Sequence, residues 1–269
     1  LIERLLSCVH ATGSQTETTR APFTGEELIT YPISTEADVE EAFARAAKVK
    51  PDDVKNRIAL ATARIGLGDV AAGMRELQSA ANADAGTAAD LALVQALLKQ
   101  RDHAAALKAV DALKKKEPGK AQTLFTEGEV RFRMGDAAAA RTAFEKALAV
   151  DAGYFPAVDG LVALAVREKK LADGRALVTA FLERNPNETR ALVAATVLDE
   201  RAGRPKEEVA ASLAKAITIK PLDASLRRVL IEYHVRKEEH ALALGAARQA
   251  VAALPGDIEL YQNTYTAGW

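Results

Sequence analysis

The sequence is poor in cysteine, histidine and aromatic residues, and each shortage excludes a class of protein. Its 269 residues contain a single cysteine, Cys8, so no intrachain disulfide framework is possible. Among its 4 histidines the nearest two, His234 and His240, are six positions apart and fall on different helix faces, which is unlike a metal site. Only 5% of residues are aromatic whereas 49% are hydrophobic. This ratio indicates helices packed through alanine and aliphatic side chains.

Unbalanced charge and long apolar runs are lacking as well. Lys plus Arg number 36 and Asp plus Glu number 37, a balance that argues against a nucleic-acid-binding surface. The basic run from Lys114 to Lys116 is predicted to lie on a solvated face in the last turn of a helix. No stretch approaches the length of a membrane-spanning helix. Because the sequence also has no glycine-rich phosphate loop, no catalytic residue, metal or cofactor is predicted.

What the sequence does contain is a helix-stopping position that recurs about every 34 residues. Successive stops are spaced 34, 33, 34, 34, 35 and 34 residues apart, at Pro51, Ala85, Pro118, Ala152, Pro186, Pro221 and Pro255. Proline cannot continue a helix, because it lacks the amide donor and its ring clashes with the preceding turn. Both alanines lie in matching Asp-Ala-Gly turns. The spacing predicts a chain of helix-turn-helix repeats.

Two apolar positions precede each stop and lie three residues apart on one helix face. Five residues before the stop the sequence has Ala46, Ala80, Leu113, Ala147, Phe181, Ala216 and Ala250. Three residues earlier it has Phe43, Leu77, Val110, Phe144, Val178, Leu213 and Ala247. Within each repeat, pairs such as Gly68-Asp69, Arg101-Asp102 and Gly135-Asp136 mark the turn between the two helices. Glycine there permits left-handed backbone and aspartate caps the next helix.

This pattern resembles the tetratricopeptide (TPR) repeat. The segment AQTLFTEGEVRFRMGDAAAARTAFEKALAVDA, residues 121–152, matches the TPR consensus at Gly128, Gly135, Asp136, Ala140, Phe144 and Ala147, and departs from it at Arg131 and Ala152. The resemblance implies an all-α, right-handed TPR superhelix, or α-solenoid, of six to seven repeats over residues 35–257. It also implies an incomplete capping helix over residues 258–269. The predicted packing residues are Ala46, Ala80, Gly128, Ala140, Phe144, Ala147, Ala216 and Ala250.

A narrower resemblance covers about residues 48–260. The stretches PDDVKNRIALATARIGLGDVAAGMRELQSAANAD and ADLALVQALLKQRDHAAALKAVDALKKKEP are similar to TPR-repeat lipoproteins of PEP-CTERM/exosortase systems. Those proteins accompany exopolysaccharide and surface-protein sorting in Gram-negative bacteria. This resemblance therefore implies a periplasmic or envelope-associated protein.

Residues 1–34 form an N-terminal arm that does not follow the repeat. Residues 11–19 are polar and predict a linker, whereas RAPFTGEELITYPIS, residues 20–34, predicts strand, turn and strand. Thr35 and Asp38 then predict a capped helix that ends near Lys50. Residues 20–46 resemble the N-terminal segment of bacterial NAD-dependent aldehyde dehydrogenases, which implies a hairpin followed by a helix. The rest of that family's sequence is missing, so the alternative reading is a remnant or fusion without catalytic residues, cytoplasmic if this is the native N-terminus.

The TPR resemblance implies that the first helix of each repeat lines a concave groove. The expected function is a non-catalytic, monomeric scaffold that binds a protein or peptide segment there, without nucleic acid. The predicted partner-binding residues are Phe125, Phe132, Glu129, Leu91, Gln95, Arg190 and Arg228. Helix phase adds to the groove face Lys55, Ile58, Thr62, Ile65, Leu98, Asp159, Ala163, Val166, Val193, Val197, Glu200, Glu232 and Val235. Phe125 and Phe132 are the aromatic residues of this row and hence the predicted anchors. The alternative is that both rings pack between helices.

Overall fold

The computed structural model describes residues 16–20, 27–32, 35–49, 53–257 and 260. Its first element is an antiparallel hairpin of β1 (Thr16–Arg20) and β2 (Glu27–Pro32), with a bulge between Thr19 and Arg20. The hairpin was predicted, but β1 lies within the stretch predicted as a linker. Its TETTR sequence is rich in threonine, whose branched side chain favours extended backbone. Cys8 lies outside the described residues.

Thirteen helices follow within the described ranges. They are α1 (Glu36–Val49), α2 (Val54–Gly66), α3 (Val70–Ala83), α4 (Ala88–Lys99), α5 (His103–Lys116), α6 (Ala121–Met134), α7 (Ala137–Val150), α8 (Phe155–Arg167), α9 (Leu171–Arg184), α10 (Thr189–Arg201), α11 (Lys206–Ile219), α12 (Ala224–Arg236) and α13 (His240–Ala253). From α2 onward they pair into six helix-turn-helix repeats, numbered 1 to 6 here, and α1 is a half-repeat. The predicted all-α solenoid is confirmed. Within the described ranges, no helix has the length and hydropathy needed to cross a bilayer.

The repeats form two compact units, Leu1–Pro118 and Gly119–Trp269. The first contains α1 to α5 and the second α6 to α13. In both units every described side chain at the two packing positions is buried, from 0% exposed at Ala80 and Ala147 to 6% at Phe181. Gly128, Ala140, Ala216 and Ala250 are buried too. Ala46 lies in α1, but its side chain is outside the described part of the structure.

Both ends of the repeat region are fixed by capping aspartates. At the start of α1, Asp38 Oδ2 accepts hydrogen bonds from the Thr35 amide at 2.7 Å and the Thr35 hydroxyl at 2.8 Å, while the Asp38 amide donates to Thr35 Oγ1 at 3.2 Å. This is the predicted capping arrangement. At the other end, Asp257 Oδ1 accepts from the Leu260 amide at 3.2 Å. Leu260 is fully buried against α13. The other residues of the predicted capping helix, 258–269, lie outside the described ranges.

The turn inside each repeat depends on one residue with left-handed backbone. These residues, whose φ angles run from 59° to 92°, are Gly68, Arg101, Gly135, Lys169, Gly203 and Glu238. The next residue in three turns is an aspartate, and Asp69, Asp102 and Asp136 each accept a hydrogen bond from the amide three positions on. Arg101, Lys169 and Glu238 adopt a conformation that costs about 1–2 kcal/mol for a residue with a Cβ. A residue with positive φ therefore occurs in all six turns, whether or not that residue is glycine.

Replacing a strained turn residue with glycine should stabilise the protein. We expect Lys169→Gly to raise the free energy of unfolding by about 1 kcal/mol, because the left-handed penalty disappears. The reciprocal change, Gly135→Ala, should lower it by a similar amount. Urea unfolding of both variants checks the prediction, and shifts of the same sign would contradict it.

Lys116 corrects the prediction that the basic run lies on a solvated face. Its Nζ donates to Asp90 Oδ2 and to the carbonyl of Ala81, both at 2.6 Å, and to the carbonyl of Asp84 at 2.9 Å. Asp90 is only 3% exposed. Helix α3 ends at a stop without proline, and Lys116 satisfies carbonyls that this helix leaves unpaired. The lysine thus fastens the end of repeat 2 to the turn between repeats 1 and 2.

Removing this lysine should be far more harmful than removing its exposed neighbour. We expect Lys116→Met to lower the free energy of unfolding by about 3 kcal/mol, because Asp90 remains buried without its partner. Lys115→Met, in the same last turn, should change it by less than about 0.5 kcal/mol. The double variant Lys116→Met/Asp90→Leu should recover part of the loss, since it removes the unpaired charge. Equal effects of the two lysine substitutions in chemical denaturation would disprove this role.

Candidate functional site

The second unit contains a concave cavity of 780 Å³. Its lining residues come mainly from α8, α10 and α12, which are the first helices of repeats 4, 5 and 6. Helix α10 contacts both α8 and α12, so the three helices form one wall. The cavity is therefore a stretch of the concave face that the TPR resemblance implies.

Valine side chains make up most of the apolar wall. Val162 and Val166 come from α8, Val193 and Val197 from α10, and Val229 from α12. Val162 is buried in the core of repeat 4, whereas Val197 is 37% exposed and faces the cavity. A valine side chain in a helix has one strongly preferred rotamer, so little side-chain freedom remains to be lost when a ligand binds.

Asp223 and Thr189 form one polar edge of the cavity, and both side chains are engaged in hydrogen bonds within the protein. The Asp223 carboxylate caps α12 by accepting from the Ser225 amide at 3.0 Å and the Leu226 amide at 3.2 Å. Thr189 Oγ1 donates to the same carboxylate at 2.5 Å. Burial opposes ionisation of Asp223, but these hydrogen bonds outweigh it and lower the pKa of the carboxyl. Asp223 thus holds repeats 5 and 6 together.

Arg190 lies at the same edge and is held from two sides. Its guanidinium lies 5.3 Å from the centroid of the Phe155 ring, a cation–π arrangement, and its Nε donates to Glu188 Oε1 at 3.0 Å. The Phe155 ring in turn meets Phe181 edge-on at 5.3 Å. Arg190 is therefore positioned by the core of repeat 4.

Asp159 differs from both of these residues. It is the fifth residue of α8 and lines the cavity, and within the described part of the chain nothing donates a hydrogen bond to its carboxylate. The side chain is exposed but is set into the concave wall. Loss of hydration there raises the pKa of Asp159, and the positive charge of Arg190 offsets this only in part. Asp159 is thus a carboxylate with unused acceptor capacity.

The two predicted aromatic anchors do not line the cavity. The half-buried Phe125 ring lies 5.7 Å from the ring of Phe144 and 5.8 Å from that of Tyr154. Phe132 lies beneath the guanidinium of Arg167 at 5.4 Å. Both rings belong to the packing of repeats 3 and 4, because contact with other rings and with an arginine keeps more of their apolar surface from water.

Of the seven predicted partner-binding residues, only Arg190 lines the cavity. Glu129 and Arg228 are half-buried on α6 and α12, and Leu91 and Gln95 lie on α4 in the first unit. Of the further residues that helix phase placed on the groove face, Asp159, Ala163, Val166, Val193 and Val197 line the cavity. Glu200, Glu232 and Val235 of the same unit do not, and Leu98 in the first unit is buried. The sequence signal for this cavity was the set of valines on α8 and α10 together with Asp159. The prediction of anchors relied on aromatic rings instead.

The position of α8 depends on the Phe144 ring, which lies between two glycines. A Cβ built on Gly128 of α6 would lie 2.5 Å from a ring carbon, and one built on Gly160 of α8 would lie 2.6 Å from another. Neither position can carry a side chain without moving the ring or a helix. The first helices of repeats 3 and 4 therefore approach the same ring from two sides.

Adding one methyl group beside this ring should destabilise the second unit. We expect Gly128→Ala and Gly160→Ala each to lower the free energy of unfolding by about 1–3 kcal/mol through overpacking. Gly245→Ala, in the middle of α13 with no atom within 4 Å of the added Cβ, should instead raise it by about 0.5–1 kcal/mol. Thermal or urea unfolding of the three variants checks the contrast. Stabilisation by all three would show that the ring does not fill both sites.

Within the described residues, no cluster of three or more histidine, cysteine, aspartate or glutamate side chains is arranged to hold a metal ion.

No protein-family model matches the sequence, and no curated protein matches it. Solved structures, by contrast, match the fold of this chain. A tetratricopeptide repeat protein from Parabacteroides merdae superposes with a TM-score of 0.54 at 14% identity, over 86% of this chain and 92% of that one.

A second solved structure, the APC/C hetero-tetramer Cut9–Hcn1, gives a TM-score of 0.51 at 12% identity. The match covers 86% of this chain and 48% of that one. At these identities the likeness concerns the fold alone. Together with the six helix pairs, it shows that this chain has the TPR fold, an α-solenoid of helix-turn-helix repeats.

Proposed function

We propose that this protein is a non-catalytic scaffold that binds an extended peptide segment of a partner protein along α8, α10 and α12. The observation that carries the proposal is the 780 Å³ cavity, which consecutive repeats form on their first helices. A cavity of this size accommodates several side chains of a peptide. Its valine wall supplies apolar surface to bury, and its helices hold that surface in place before binding.

The charged groups at the cavity favour recognition over bond-making chemistry. Asp223 caps α12 and Arg190 packs on Phe155, so both are engaged within the protein. Asp159 and Arg201 also line the cavity, and neither has a hydrogen-bond or ion-pair partner within the described residues. The groove therefore offers apolar surface with one available carboxylate and one available guanidinium.

The resemblance of residues 48–260 to TPR lipoproteins of exosortase systems supports a setting for this binding. In that setting the partner would be a protein of the bacterial envelope that takes part in exopolysaccharide or surface-protein sorting. The aldehyde-dehydrogenase likeness of residues 20–46 adds nothing to the site, because the cavity is lined by residues 155–229. Recognition of another protein agrees with the hetero-tetramer Cut9–Hcn1, in which a chain of this fold is a subunit.

A charge placed in the groove should abolish peptide binding, whereas the same charge elsewhere should not. The probe is a phage library of random 12-residue peptides, selected on the wild-type protein and on Val197→Asp. The matched control is Leu242→Asp on α13, which also replaces an exposed aliphatic residue (55% exposed, against 37% for Val197) and lies outside the cavity. Both substitutions are at exposed positions, so each should change the free energy of unfolding by less than about 0.5 kcal/mol.

We expect wild type and Leu242→Asp to enrich the same peptides, and Val197→Asp to enrich none of them. An aspartate in the valine wall replaces apolar surface with a hydrated carboxylate, and stripping its water on contact with an apolar peptide side chain opposes binding. Synthetic versions of the enriched peptides should show the same order of affinities by fluorescence polarisation. Failure of the wild-type protein to enrich any peptide, or equal enrichment by Val197→Asp, would overturn the proposed site.

A further inference from the structure

We propose that the bound segment carries a lysine or arginine whose cationic head pairs with Asp159, and whose aliphatic stem lies on the wall formed by Ala163 and Val193. This inference deepens the proposed function and rests on it, because it specifies the chemistry of the peptide that the groove recognises.

Asp159 has no structural task that would explain its presence in α8. Other acidic residues of the second unit are used as fasteners: Asp199 accepts from Arg175 Nε at 2.9 Å and pairs with Arg204 at 3.2 Å. Asp223 accepts from two backbone amides and from Thr189. Asp159 lies beyond the first turn of its helix, where the favourable effect of the helix dipole on an acidic residue has fallen away. Its carboxylate therefore remains available to a ligand.

The surroundings of Asp159 favour a cation with an apolar stem. The cavity wall removes part of the hydration of the carboxylate, and a bound positive charge would restore the lost stabilisation. Arg190, the nearest basic side chain acting on Asp159, is held by Glu188 and by the Phe155 ring. Ala163, one helical turn after Asp159 on α8, and Val193 on α10 line the same cavity. Lysine and arginine combine a charged head with a chain of methylene groups that packs on such a surface.

Other charged ligands fit this position less well. A divalent metal ion needs several oxygen ligands, and no suitable cluster exists among the described residues. A phosphate or a peptide carboxylate would be repelled by the negative charge of the Asp159 carboxylate. A basic side chain is the ligand group that both the charge and the valine wall accept.

The test repeats the selection of random 12-residue peptides on wild type, on Asp159→Asn and on the control Asp173→Asn. Asp173 is an exposed aspartate in the first turn of α9, outside the cavity, so the control makes the same chemical change away from the site. We expect wild type and Asp173→Asn to enrich peptides with lysine or arginine beside apolar residues. Asp159→Asn should lose that preference.

A synthetic peptide from the wild-type selection then completes a double-mutant cycle by fluorescence polarisation. Replacing its basic residue with norleucine should weaken binding to wild type about tenfold, as expected for loss of a charge-assisted hydrogen bond. The same replacement should have no effect on Asp159→Asn, because the partner is already gone. Enriched peptides without a basic residue, or an equal effect of norleucine on both proteins, would overturn this inference alone. If the wild-type protein enriches no peptide at all, the proposed function itself is overturned.

Discussion

The contact of one phenylalanine ring with two glycines sets the geometry on which the groove of the second unit depends. Phe144 belongs to the second helix of repeat 3, yet its ring touches the first helices of both repeat 3 and repeat 4. Helix α8, positioned by that ring, carries Asp159 and the valines of the first cavity wall. The cavity wall is therefore fixed from behind by a side chain that does not itself line the cavity. Rigid support of this kind lowers the entropy lost on binding.

Buried and half-buried charges fasten repeats to each other, and this use distinguishes them from the charge in the groove. Lys116 joins Asp90 to the carbonyls that end α3 in the first unit. In the second unit, Asp199 connects α9 to the turn before α11 through two arginines. Each of these carboxylates would be costly to bury without its partner. Asp159 tolerates having none because water still reaches it, and this leaves it open to a ligand from another molecule.

The parts of the structure that depend on neighbours along the chain were predictable from the sequence. The stops, the six helix pairs, the capping of α1 by Asp38 and the aspartates that follow the turns all result from local rules. The features that the sequence left open or predicted wrongly depend on distant residues. Lys116 reaches carbonyls about thirty positions earlier, and Phe125 turns toward Tyr154 of the next repeat. Arg101 and Lys169 adopt left-handed backbone, which a residue with a Cβ disfavours and which their residue types therefore do not predict.

The fifth residue of the first helix shows how the solenoid separates folding from recognition. In repeats 3 to 6 this position holds Phe125, Asp159, Val193 and Arg228: an aromatic, an acid, an aliphatic and a base. The packing positions of the second helices hold only apolar residues in the same repeats. No single packing requirement therefore fixes this position: Phe125 packs against Phe144 and Tyr154, whereas Asp159 and Val193 line the cavity. Asp159 and Val193 occupy the same position of successive repeats and differ in chemistry, so the solenoid can change a side chain that lines the cavity without changing the residues at its packing positions.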